Sequence, residues 1–135
     1  MFFKNNKIQK NDLIKIAALL IHAAKIDENF TIEEEKIIEE TLLNLGANEE
    51  NVKQIIIESK KIEDKANQIL EFTKEVKNME ERDKIKIIET LWRIIYSNKD
   101  ADIYETSLMR RLAGLLYIDN QTMGNIKDRV KKENS

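Results

Sequence analysis

The sequence has 135 residues, a length that fits one domain with a single core. With 23 Lys plus Arg against 25 Asp plus Glu, its formal net charge is −2, so it lacks the positive field that nucleic-acid binding requires. Cysteine is absent, which excludes disulfides, thiolate metal sites and cysteine catalysis. There is no proline and glycine numbers only 3, so helices run uninterrupted and we predict an all-α fold.

The N-terminal end lacks the apolar run of a signal peptide. The longest apolar run, 16–21, is too short to cross a bilayer. We therefore expect a cytoplasmic protein without a transmembrane segment.

Apolar spacing predicts three helices in the first part of the chain. Asn11 or Asp12 caps the first helix, whose wide apolar face suits the centre of the core. The second begins at Thr31, where Thr-Ile-Glu-Glu forms a capping box, and ends near Gly46. Asn48 can cap the third helix, and we expect a break at about residues 59–64.

Four more helices are predicted after that break. A connector helix covers about 63–77, and the fifth helix, opened by Asn78 and Glu81, is a second central one. The sixth begins with another capping box, Asp102-Ile-Tyr-Glu105, and buries leucines at helical spacing. An amphipathic seventh helix starts near Asp119.

The chain carries one pattern twice. A shift of 71 positions, without a gap, places residues 85–118 over residues 14–47. Each copy has an apolar helix, a short polar loop and a capped second helix. We predict one domain over 1–135, with repeat halves of about 11–59 and 79–132 related by a pseudo-two-fold axis and joined by the connector.

Catalytic motifs are missing, so we expect no enzyme. The one histidine, His22, has no second ligand at helical spacing and is expected at the edge of the core. The aromatic residues of the fifth and sixth helices lie on apolar stripes, so we expect Trp92, Tyr96, Tyr104 and Tyr117 in the core or at its edge rather than on a binding surface. Basic residues near Arg110 and along the last helix are interpreted as solvated faces.

The doubled polar loop is the one candidate site. Its oxygen donors suit a hard divalent cation such as Ca²⁺, Mg²⁺ or Mn²⁺; they are Asp27, Thr31 and Glu34 in the first copy and Asn98, Asp102 and Glu105 in the second. Neither copy has the glycine and glutamate positions of an EF-hand. Capping alone also explains Thr31, Glu34, Asp102 and Glu105, so both interpretations stay open.

Two runs resemble a known family. Residues 91–118, LWRIIYSNKDADIYETSLMRRLAGLLYI, look like the C-terminal half of the small bacterial TerB-like proteins, relatives of the tellurite-resistance protein TerB. Residues 19–42, LLIHAAKIDENFTIEEEKIIEETL, resemble the first half of that domain. The resemblance implies an all-helical fold, a link to tellurite and stress responses, protein complexes near the inner face of the membrane, and no established enzymatic activity.

The resemblance also implies a metal site at the acidic loops. It falls on Asp27, Glu34 and Glu105, with Asn98 where the family usually has Asp. Lys99 and Glu28 stand at the family's glycine positions. The neutral Asn98 and the positive Lys99 predict a weakened second half-site. The leading hypothesis is a non-catalytic, stress-linked binding or adaptor protein with a divalent cation between the loops. The alternative is a purely structural protein–protein interaction module without a metal site.

Overall fold

The chain folds into helices throughout the part of it that the structure describes. The computed structural model describes residues 8–25, 30–65, 70–97 and 103–133. Within these ranges there are seven helices and no strand: α1 Lys10–Ala24, α2 Ile32–Asn44, α3 Val52–Lys65, α4 Leu70–Lys77, α5 Glu81–Ser97, α6 Ile103–Leu115 and α7 Asn120–Glu133. The predicted all-α fold is confirmed. None of these helices combines the length and apolar character needed to cross a membrane.

α1 lies at the centre of the core, as its wide apolar face predicts. All six residues from Ile16 to Ile21 are fully buried, and α1 packs against α2, α3, α4 and α5. Ala17 and Ala18 leave room for neighbouring helices to approach closely. α5 is the second long apolar helix and packs against α1, α2 and α7.

Three predicted helix limits are wrong. One is the start of the connector: residues 63–65 belong to α3, and the connector corresponds to α4, Leu70–Lys77. α1 begins at Lys10 after Gln9, which makes no side-chain capping bond; Asn11 and Asp12 lie inside the helix, where Asp12 meets the positive end of the helix dipole. α3 continues without a break to Lys65. It continues because Ile55, Ile56, Ser59 and Glu63 form one buried face, and the Ser59 hydroxyl bonds to carbonyl oxygens rather than interrupting the helix.

The starts of two pairs of helices follow the 71-residue shift. α1 and α5 begin at residues 10 and 81, and α2 and α6, both 13 residues long, begin at residues 32 and 103. Each of α2 and α6 ends in a Schellman motif, in which Ala47 N–H donates to Leu42 O and Ile118 N–H donates to Ala113 O, both at 2.9 Å. The pseudo-two-fold axis and the division into halves stay predictions.

The aromatic residues are not all placed as predicted. Trp92 is buried and stacks on the half-buried Tyr96, with ring centroids 5.9 Å apart. Tyr117, in contrast, is 70% exposed, so its predicted core position is wrong. Tyr117 follows the end of α6 with φ of 58°, and this left-handed backbone turns its side chain away from the apolar stripe. The side chain of Tyr104 lies outside the described residues.

Candidate functional site

Besides Thr31, Glu34 is the predicted site residue whose side chain the structure describes. It is the third residue of α2, and the capping box predicted from the sequence is present: Thr31 N–H donates to Glu34 Oε1 at 2.9 Å, and Glu34 N–H donates to Thr31 Oγ1 at 3.1 Å. Glu34 is only 1% exposed, although capping boxes work equally well at the surface. The start of α2 therefore holds a carboxylate away from water, which is costly unless the charge is well satisfied.

The other predicted site residues are less completely placed. Glu105 is the third residue of α6, the position that Glu34 has in α2. Asp27, Asn98 and Asp102 lie outside the described residues. Over the described ranges, no group of three His, Asp or Glu side chains is arranged to hold a metal ion.

A cluster of charged side chains at the end of α1 was not anticipated from the sequence. His22 Nδ1 lies 3.1 Å from Glu63 Oε2, and Lys25 Nζ donates to Glu63 Oε1 at 2.7 Å and to Asp64 Oδ1 at 2.8 Å. Glu63 is buried to 9% exposure, whereas His22 and Lys25 are partly exposed. The bonds to Asp64 and then Glu63 raise the pKa of the Lys25 ammonium above its usual 10.5.

This cluster joins the C-terminal end of α1 to the last turns of α3. Its cations also lie near the negative end of the α1 dipole, which favours them there. Glu63 and Asp64 lie in the stretch where the apolar pattern blurs, so no local pattern pairs them with α1. The pairing does place His22 at the edge of the core, as predicted, with a carboxylate rather than a metal as its partner.

Two other polar contacts fix helix ends and interfaces. Lys84 is buried, and its Nζ donates to Leu116 O at 2.9 Å, beyond the end of α6. The hydroxyls of Thr41 on α2 and Thr90 on α5 are 2.6 Å apart in the core. These contacts hold secondary structure together and bring no nucleophile near a general base.

The fold and these contacts define an all-helical protein in which charged side chains cap and connect helices. The chain matches the family model described as tellurite resistance protein TerB over residues 13–128. This match covers most of the sequence, and the chain belongs to the TerB family, as the resemblance implied. Searches of curated proteins and of solved structures found no match.

Proposed function

We propose that this protein is a non-catalytic binding protein of the tellurite and stress response, with a divalent cation held between the segments that open α2 and α6. Membership of the TerB family supports the proposed role in the tellurite and stress response. From the family we also infer a cytoplasmic location and protein partners near the inner face of the membrane. The observation that carries the cation site is the burial of the Glu34 carboxylate at the start of α2.

The donor chemistry fits a hard cation. Oxygen ligands are those that Ca²⁺, Mg²⁺ and Mn²⁺ prefer, and the residues that would hold the ion are Asp27, Glu34, Asn98, Asp102 and Glu105. Glu34 is already fixed by the capping box, so little side-chain entropy is lost on binding. A bound ion would neutralise these carboxylates and link two helix starts. Since Asn98 is neutral and is followed by Lys99, we expect weak affinity.

Thermal melting tests the cation site. Chelator-treated protein is melted with Ca²⁺, Mg²⁺ and Mn²⁺, each added separately. An ion at a hundred times its dissociation constant stabilises the folded state by about 2.7 kcal/mol, which raises Tm by several degrees. We expect such a rise for at least one ion.

The variant Glu34→Gln separates binding from capping. Glutamine serves in a capping box because its side-chain oxygen still accepts from the Thr31 N–H, but its neutral amide is a weaker ligand for a hard cation than a carboxylate. We expect Glu34→Gln to lose the Tm rise. Glu33→Gln removes the same charge from an exposed neighbour, and this variant should keep the Tm rise. A rise that survives in Glu34→Gln would rule out Glu34 as a ligand.

The alternative, an interaction module without a metal site, is favoured by the surface of α3. Ile57 and Ile62 are both more than a third exposed, and each lines a separate cleft on the flanks of α3. If no ion raises Tm and Glu34→Gln melts like the wild type, the carboxylate serves as a cap. The clefts beside α3 then become the surfaces on which to search for a protein partner.

A further inference from the structure

A cleft of about 190 Å³ lies between α5, α6 and α7, away from the start of α2. Its floor is apolar and consists of Trp92 from α5, Met109 and Ala113 from α6, and Met123 from α7, all of them buried. An aromatic ring and two flexible thioethers form an adaptable apolar surface. The floor is therefore suited to a small hydrophobic group.

The rim of the cleft is cationic. Arg110 on α6 and Lys127 on α7 both line it, and Lys127 Nζ lies 5.4 Å from the centroid of the Trp92 ring. Asn120 adds an amide at the first residue of α7. Among the described residues that line the cleft, none is acidic, so the rim selects for an anion.

Glycine keeps the cleft open. Gly124 lies inside α7 and lines the cleft, and a Cβ atom added to it would meet no atom within 4 Å. Glycine is unfavourable inside a helix relative to alanine, and no close helix contact requires it at this position. The empty volume above Gly124 is instead part of the cleft.

The floor also contains an unpartnered donor. In the part of the chain that the structure describes, Trp92 Nε1 is the one buried side-chain N or O atom without a hydrogen-bond partner, and Trp92 itself is only 3% exposed. A buried donor without an acceptor destabilises the folded state. The surrounding side chains enclose this N–H, so its resonance reports on the packing at the floor of the cleft.

We propose that this cleft binds a small carboxylate with an aromatic or branched apolar body. A buried cavity of about 150 Å³ holds one benzene molecule, so the 190 Å³ here is matched to a group of that size. The apolar body lies on Trp92 and the two methionines, and the carboxylate accepts from Arg110 and Lys127. This site is separate from the proposed cation site and does not depend on it.

Benzoate is the probe, with benzamide and acetate as its controls. Benzamide keeps the ring without the charge, and acetate keeps the charge without the ring. Binding is measured by titration calorimetry and by the indole N–H resonance, which belongs to Trp92 alone because the chain has one tryptophan. We expect saturable benzoate binding, a shift of the indole resonance as the ring packs on Trp92, and affinities at least about tenfold lower for both controls.

Variants locate the site. Lys127→Gln should weaken benzoate binding about tenfold, whereas Lys131→Gln, which removes the same charge one turn further along α7, should not. Arg110→Gln and its exposed neighbour Arg111→Gln form a second pair with the same expectation. Gly124→Leu fills the cleft and should abolish binding while the helix stays folded, and Gly114→Leu, also facing open space, should leave binding intact.

Each contrary result overturns the proposal. It fails if benzoate does not bind at millimolar concentration, if benzamide binds equally well, or if Gly124→Leu binds like the wild type. It fails also if the indole resonance is unmoved at saturation. Glu34→Gln should bind benzoate normally, so a negative result here and a negative result for the cation site are distinguishable.

Discussion

At the scale of single residues, Tyr117 occupies a conformation that the sequence pattern does not explain. Its φ of 58° corresponds to Gly46 in the first copy, where φ is 125°, because both follow the end of a helix closed by a Schellman motif. Left-handed backbone costs a residue with a side chain about 1–2 kcal/mol. Lys77 and Lys84 lie 5.5 and 5.9 Å from its ring centroid, and these cation–π contacts offset part of that cost.

Substitutions at Tyr117 separate the cost of its left-handed backbone from the stabilisation by its cation–π contacts. Tyr117→Ala loses both cation–π contacts and keeps the backbone strain, so it should be destabilised relative to the wild type. Tyr117→Gly loses the same contacts but relieves the strain, and we expect it to be more stable than Tyr117→Ala by about 1 kcal/mol. Urea unfolding of the three proteins measures both differences. Equal stability of the two variants would contradict the strained conformation.

At the scale of elements, capping side chains determine where several helices begin. The Asp119 carboxylate accepts from Thr122 N–H at 2.7 Å before α7, and Asn48, its counterpart under the 71-residue shift, accepts from Asn51 N–H at 3.0 Å before α3. Capping residues of this kind are visible in a sequence because they depend on a few neighbouring positions. The predicted start of α1 is wrong because suitable capping residues, Asn11 and Asp12, are present but the helix begins without a side-chain cap.

The Asp119 cap should make stability depend on pH. Its bond to the Thr122 N–H lowers the pKa of the Asp119 carboxyl below 3.8, so the stabilisation is present above that value and is lost as the pH falls through the lower, folded-state pKa. Asp119→Asn still caps the helix but does not titrate. Between about pH 5 and about pH 2.5, the wild type should lose more stability than Asp119→Asn.

Denaturant unfolding at several pH values measures this difference. Asp128→Asn is the matched control, because Asp128 is exposed in the body of the same helix, and it should follow the wild type. Equal acid dependence of the wild type and Asp119→Asn would show that the charge of the cap contributes nothing to stability.

At the scale of the whole molecule, the features that depend on neighbouring residues were predicted from the sequence, and the contacts between distant residues were not. The all-α fold, the central place of α1 and the capping box at Thr31 follow from periodicity and short motifs, and all are present. The contacts of Glu63 with His22 and Lys25 join residues about 40 positions apart, and nothing in the local pattern marks them. The cleft above Trp92 was missed because it needs three helices to form, although a glycine inside a polar helix was a visible signal.

The buried hydroxyl pair is a contact between α2 and α5 whose energy can be measured. Thr41 lies on α2 and Thr90 on α5; their oxygens are 2.6 Å apart, and each also lies within hydrogen-bonding distance of a carbonyl one turn back, Ile37 O at 3.0 Å and Lys86 O at 2.9 Å. The two hydroxyls carry only two hydrogens for these three bonds. Replacing one threonine by valine therefore removes the link between the helices and buries a methyl group against the remaining hydroxyl.

We expect Thr41→Val and Thr90→Val each to lower the free energy of unfolding by about 1 kcal/mol, because each removes a buried hydrogen bond at nearly constant volume. The double variant should lose less than the sum of the two, since two valines pack against each other without an unmatched hydroxyl. A double-mutant cycle in urea measures the coupling. Thr122→Val, on α7 and outside the core, is the control: its change in the free energy of unfolding should add to that of either core variant. Strict additivity of Thr41→Val and Thr90→Val would mean that the two hydroxyls do not interact in solution, and that apolar packing alone joins α2 to α5.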